Sequence, residues 1–315
     1  MVMNEKTFKH GALAAAALAL VATCVSTGSS AYASAPAKPR TSASIYVSTS
    51  STTTAYNEGY SQGQSDAASP TQNSEVILDF GGQNSANTGS ILTTNGTVLS
   101  YSQIVAYAEN YALGYYVGTG SDTTSVVKLG IGTNNSAYNV SSTGGSTWAN
   151  SVLKPVQSYL TANNYASQVF AVAANDMEPS WNTAAATEAW MKGFSGTGVG
   201  GLVNFGSADG CSQSSYANAG CNNSWKQYDV WYVSWGNPAA YGLPEIYYTA
   251  NATQWTEISH YGYSYQNGAK IGYDGPMTEY ASGGTLSNSS AWTTFYNDLA
   301  ASSATAVTFS YSTDI

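Results

Sequence analysis

From Glu75 to the C-terminus, short apolar runs alternate with longer amphipathic ones, and this alternation confines the chain to an α/β architecture. The spacing predicts strands over Val76 to Phe80, Ser125 to Gly132, Gln168 to Ala174, Val199 to Phe205, Asp229 to Trp235, Leu243 to Tyr248, Ala269 to Tyr273 and Thr305 to Phe309. Between them, apolar residues at three- and four-residue spacing predict helices over Ser102 to Tyr116, Thr147 to Ala162, Thr183 to Phe194 and Ala291 to Ala301. Eight strands alternating with helices over residues 75–315 fit a (β/α)8 TIM-type barrel, a single domain of the usual size. The alternative is an open doubly wound sheet. No Gly-x-Gly-x-x-Gly turn follows the first strand, however, and Gly130-Ile131-Gly132-Thr133 is only half of one.

Residues 1–33 read as a secretory signal peptide. Lys6 and Lys9 give the basic start, Gly11 to Cys24 the short Ala/Leu/Val core, and Ala31-Tyr32-Ala33 the small-x-small cleavage site. A lipoprotein signal anchored at Cys24 is the rival, with Thr23 a poor residue before the cysteine. The expected location is therefore outside the cell or in its envelope, with no membrane attachment after cleavage. Residues 34–74, rich in Ser, Thr and Pro and without apolar periodicity, read as a linker; only Ile45, Tyr46 and Val47 suggest a short edge strand.

After residue 33 the cysteines are Cys211 and Cys221, and an oxidising compartment predicts one local disulfide between them. His260 is the single histidine of that stretch, so no His/Cys set for zinc is present, and no EF-hand-like loop appears; neither a metal nor a cofactor is expected. A serine hydrolase would have to use His260 without a Gly-x-Ser-x-Gly elbow, and a cysteine enzyme would compete with the disulfide. Nine basic residues against eighteen acidic ones, with no Lys/Arg patch after the leader, exclude the footprint of a nucleic-acid binder. The expected partner is a polysaccharide or peptidoglycan, and the expected state a monomer.

In a barrel, function sits where strands end at the C-terminal face. The strand ends carry Asp79, then Asp176 and Glu178, then Asn204 and Asp209, with Trp235, Tyr247 and Asp274 on the later ones. Side chains alternate along a strand, so Asp176 and Glu178 face the same way, roughly 7 Å apart at Cα. Two carboxyl groups suit glycoside hydrolysis, in which one protonates the leaving oxygen and another acts as nucleophile or base. Glu178 is the expected acid and Asp176 the group that keeps it protonated. Asp79 and Asp274 would give electrostatic support or activate water. Trp181, Trp235 and Tyr247 would offer flat faces to sugar rings, and Asn204 and Asp209 would hold hydroxyls. Each residue also has a plainer role open to it. Asp176 would cap the helix that follows, Asp79 would accept from the backbone of Gly81 and Gly82, and the tryptophans would pack in the core.

Asp79 on an opening Val-Ile-Leu-Asp-Phe strand, the Asp176-x-Glu178 pair and the late Asp274 together resemble the acidic layout of family 25 lysozyme-type glycoside hydrolases. In that family the pair lies on the fourth strand; counted from Val76, it ends the third. The Asp-x-Glu ending also resembles family 18 chitinases, although Ala171 and Ala174 stand where those carry further aspartates. Residues 75–315 as a whole look similar to secreted bacterial proteins with a glycoside-hydrolase-like barrel. The resemblance implies cleavage of a β-1,4 linkage in an N-acetylhexosamine polymer, with Glu178 as acid. Two other readings remain open: a barrel that holds glycan without cutting it, and a structural envelope protein.

Overall fold

The computed structural model describes residues 36–69, 73–120, 122–136 and 138–315. The predicted signal peptide and Cys24 lie outside these residues. Ser42–Ala43 (β1) and Ile45–Tyr46 (β2) form one extended run interrupted at Ser44, and helix α1 follows at Thr52–Ala67, capped by the Ser51 hydroxyl, which accepts from Thr54 N. The segment expected to be a linker thus contributes two strands and a helix to the folded unit Ala37–Ile315.

Helix α1 escaped the apolar pattern because it buries little apolar surface. Its inward face is Ala55, Gly59, Gln62, Gly63 and Asp66. The fully buried Asp66 accepts from Gln62, Ser74 and Tyr115 and pairs with Arg40, so a polar network stands where a leucine stripe was sought.

Strand β3 (Asn73–Gln83), hairpin strands β4 (Gly89–Ile91) and β5 (Val98–Ser100), and helix α2 (Tyr101–Gly118) come next. The start of α2 carries a capping box between Ser100 and Gln103. Strand β6 (Val126–Asn134) leads to α3 (Ser142–Trp148), a wider π turn at Ala149–Leu153, and α4 (Lys154–Ala162). Pro155 stands at the start of α4; the wider turn absorbs its missing N–H inside an otherwise continuous helix. Then follow β7 (Val169–Asp176), α5 (Ala184–Ser195), β8 (Leu202–Asn204), α6 (Gln227–Trp231), β9 (Ala240–Gly242), α7 (Thr249–Gly262), β10 (Met277–Thr278), α8 (Asn288–Ala300) and β11 (Thr313–Asp314).

The mixed α/β class is therefore as the sequence predicts, while several boundaries move. Asp229 to Trp235 is helical, not a strand: α6 runs into a π turn at Tyr232–Gly236. Tyr228, Trp231, Tyr232 and Trp235 stand at i, i+3, i+4 and i+7, a helical stripe hidden in a run rich in strand formers. The ladder of the sixth predicted strand lies at Ala240–Gly242, just before Leu243, with one further bridge from Glu245 to Met277. Residues Ala269 to Tyr273 contribute only a bridge from Tyr273 to Gly242. No strand forms over Thr305 to Phe309; Phe309 is apolar because it packs on Trp292, Phe295 and Tyr296 of α8.

The named strands form an eight-stranded sheet in the order β5-β4-β3-β6-β7-β8-β9, with β2 also on β3, and a three-stranded sheet β1-β11-β10. All pairings except those within the β3-β4-β5 hairpins are parallel. Along β2, β3, β6, β7, the strand bearing Asp176 is the fourth. The apolar side chains divide by face. Val76, Leu78 and Phe80 join the large cluster that includes the helices, whereas Ile77 joins a smaller one with Val172, Val203, Phe205, Met277 and Ile315.

Candidate functional site

The site is built at the end of β7. Asn134 lies opposite Asp176 in the β6–β7 register, and Asn135 N donates to Asp176 O at 3.0 Å. Beyond it the chain leaves the ladder and is gripped by two buried amides. Asn204 Oδ1 accepts from Met177 N at 3.2 Å and from Gly206 N at 3.1 Å, while Asn204 Nδ2 donates to Ser234 at 2.9 Å. Asn135 accepts from Glu178 N and donates to Glu178 O, both at 3.1 Å. Asn204 is fully buried, so it positions the loop instead of touching substrate as expected. Neighbouring helix α5 is capped by Thr183, whose hydroxyl accepts from Ala186 N, which leaves Asp176 free of the capping role.

The same-face expectation for Asp176 and Glu178 agrees with the geometry, and a third acid joins them. One carboxylate oxygen each from Asp176, Glu178 and Glu245 lie within 4.8 Å of one another. Glu245 follows Leu243 and Pro244 beyond β9, and its backbone bridges to Met277. Tyr247, two residues on and on the same side, donates its hydroxyl to Glu245 Oε1 at 2.9 Å.

Burial dominates the electrostatics. It holds Asp176 far above the usual carboxylate range, with the charges of Glu245, Glu178 and Asp79 adding to the effect. It raises Glu245 likewise, Glu178 adding and the Tyr247 hydrogen bond opposing. Glu178, only partly buried, is pushed up to about 7 by desolvation and then by the charge of Asp209. At neutral pH the cluster therefore retains protons, as a general acid requires.

Asp79 stands on β3 opposite Gly132, which in turn lies opposite Ala174 of β7. Its Oδ1 accepts from Gly81 N at 3.0 Å, the turn role open to it from sequence, and Gly81 takes φ +68°, where a side chain would be strained. Its Oδ2 is buried without a partner, and burial pushes the carboxyl up to about 6. Asp79 and Asp176 line a cavity of about 240 Å³ together with Tyr46, Asn134, Trp181 and Glu279. Trp181 is 40% exposed, with a face open to a ligand.

The remaining expected residues divide. Asp209 sits beside the cluster and accepts from Ser180 at 2.8 Å. Cys211 and Cys221 form the predicted disulfide, and the chain leaving it braces the rim: Asn222 donates to Ser180, and Asn223 and Trp225 donate to Asn182 O at 2.9 and 2.8 Å. Trp235 is not at a strand end but in the π turn, packed against the core. Asp274 is not brought to the site. Its carboxylate pairs with Lys128, which also pairs with Glu75, and both stand near the beginnings of their strands, away from Asp79 and Asp176 at the ends.

Sequence reading missed Glu245, Tyr46 and Asn135. The first was detectable, because Leu243, Glu245 and Tyr247 alternate onto one face of an extended run. Tyr46 lay in the presumed linker. The oxygens of Asp176, Glu178 and Glu245 are near enough to share a hard cation, supplying three of the six to eight ligands calcium takes. No family model, curated protein or solved structure matches the chain. Among the described residues no helix is long and apolar enough to cross a membrane.

Proposed function

We propose that this chain is a secreted glycoside hydrolase on a (β/α)8 barrel, acting on a cell-wall or related polysaccharide. The observation that carries the reading is the mutual approach of Asp176, Glu178 and Glu245 within 4.8 Å, beside a cavity with an exposed tryptophan. Closure of the barrel is supported by the pairings. Strand order runs without reversal from β2 to β9, parallel bridges lead from Gly242 and Glu245 to Tyr273 and Met277, and β10, β11 and β1 continue to within one residue of β2. A doubly wound sheet would reverse its order at a switch point. The small cluster that joins Ile77 to Met277 and Ile315 also supports this reading, since a barrel needs a filled interior.

In the reaction, Glu178 gives its proton to the glycosidic oxygen as the C1–O bond breaks and the electron pair leaves with that oxygen. The positive charge that develops at C1 favours the ionised form of one of the pair Asp176 and Glu245, which gives its proton to water and then steadies that charge. Water then attacks C1 and returns a proton to Glu178. Asn135 and Asn204 act as positioning residues. Secretion is supported by the N-terminal pattern of residues 1–33 and by the disulfide.

The test is reducing-sugar release from peptidoglycan, chitin, chitosan and plant polysaccharides by the chain and by Glu178→Gln. Release that disappears in the variant supports a hydrolase. A folded protein that releases nothing from any of them overturns the catalytic reading in favour of glycan binding.

A further inference from the structure

The cavity beside the cluster is acidic beyond the needs of hydrolysis. Asp79, Asp176 and Glu279 line it, Glu178 and Glu245 adjoin Asp176, and no lysine, arginine or histidine is among its lining residues. Three cations of the described residues are paired elsewhere: Lys128 with Glu75 and Asp274, Arg40 with Asp66, Lys192 with Glu188. Asp79 and Asp176 are 1% and 2% exposed, and each keeps one buried carboxylate oxygen with no hydrogen-bond partner, Oδ2 and Oδ1 respectively. A buried acceptor without a donor is costly, and a buried carboxylate without a counter-charge more so. Both oxygens belong to residues that line the same small space. The structure withholds a donor there that a ligand can bring.

We infer that this cavity takes the free ammonium group of a de-N-acetylated amino sugar, held between the unpartnered oxygens of Asp79 and Asp176 with Glu279 at the mouth. The inference rests on the proposed glycosidase reading and narrows its substrate to a cationic glycan such as a glucosamine polymer. An ammonium group offers three donors and a full charge, which answers two carboxylates at once. An acetamido group offers one N–H, no charge and extra bulk. At about 240 Å³ the cavity is below the roughly 300–1,000 Å³ of drug-sized pockets and has room for one ring. Tyr46 and Trp181 supply apolar faces for the ring's C–H side. Anionic glycans would meet like charge and are excluded.

The test is calorimetric titration of the full chain carrying Glu178→Gln with glucosamine hexamer, N-acetylglucosamine hexamer and calcium chloride, at near-neutral pH and two salt concentrations. The amine oligomer is expected to bind at least about tenfold tighter than the acetylated one, with the margin shrinking at high salt. Asp79→Asn is expected to remove most of that margin. Glu279→Gln, at a partly exposed position where folding is not at stake, is expected to reduce it severalfold. Equal or tighter binding of the acetylated oligomer, binding of neither, or stoichiometric calcium binding that displaces the amine each overturns the inference. Preferential amine binding without release of sugar by the wild-type chain would sink the hydrolase reading alone. Release from acetylated polymer without amine preference would sink only the cationic substrate.

Discussion

Tyr247 donates its hydroxyl to Glu245 Oε1 at 2.9 Å, a contact that opposes the upward shift burial and Glu178 impose on that carboxyl. Hydrogen bonds to the charged form favour ionisation. Tyr247→Phe should therefore lower kcat by about 10- to 100-fold, shift the acid limb of the kcat/KM profile to higher pH, and leave the fold intact. Steady-state kinetics across pH with circular dichroism check this, and an unchanged acid limb would remove Glu245 from the mechanism.

Glu178→Gln should reduce kcat by roughly 10²–10⁴-fold, the usual worth of a general acid, with little change in KM. In the wild type, kcat/KM should fall as pH rises past about 7, where Glu178 loses its proton. Substrates with activated leaving groups need no acid, so they should restore much of the lost rate.

The three acids approach with their nearest oxygens within 4.8 Å, which leaves no room between them for the water that the roughly 6.5–9.5 Å spacing of inverting enzymes accommodates. The first product should keep the anomeric configuration of the bond cleaved. Proton NMR during early turnover reads this directly; an inverted anomer would point instead to a more distant base, such as Asp79.

Stability should run opposite to that of most proteins near neutral pH. Asp79 and Glu178 titrate at about 6 and 7 when folded, against roughly 3.9 and 4.3 when unfolded. The folded state thus binds more protons between those values. Their contribution is complete below the unfolded values and is lost as pH rises through 6 to 7. The melting temperature should decline from pH 5 to pH 8, and less steeply in Glu178→Gln; a flat or rising profile would refute the assignment.

Asp274→Asn separates a structural acid from a catalytic one. Removing one of the two acids that pair with Lys128 should cost about 1–3 kcal/mol in denaturant unfolding, since Glu75 still pairs with it, while leaving kcat/KM unchanged. A large kinetic loss in a stably folded variant would return Asp274 to the site. In the same spirit, Gly59→Ala should destabilise by about 1–3 kcal/mol, since a Cβ there would stand 2.0 Å from Tyr111 O of α2.

What the sequence by itself determined was local. Period-two and period-3.6 patterning predicted the long central strands, four helices and the α/β class. Alternation along one extended run put Asp176 and Glu178 on one face, and cysteine spacing predicted the disulfide. These follow from geometry within a few residues of chain. The tertiary structure decided whatever depends on partners distant in sequence. Helix α1 is held by Gly59 and Gly63 against Tyr111 and Tyr115 and by a buried polar network around Asp66, neither of which produces an apolar stripe. Asp274 ends a predicted strand, yet Lys128, 146 residues earlier, claims its carboxylate. Glu245 lies 67 positions beyond Glu178 and becomes its neighbour only because β8 and β9 follow β7 in register. A carboxyl group's proton affinity is set by burial and by the charges around it, and both are properties of the assembled fold.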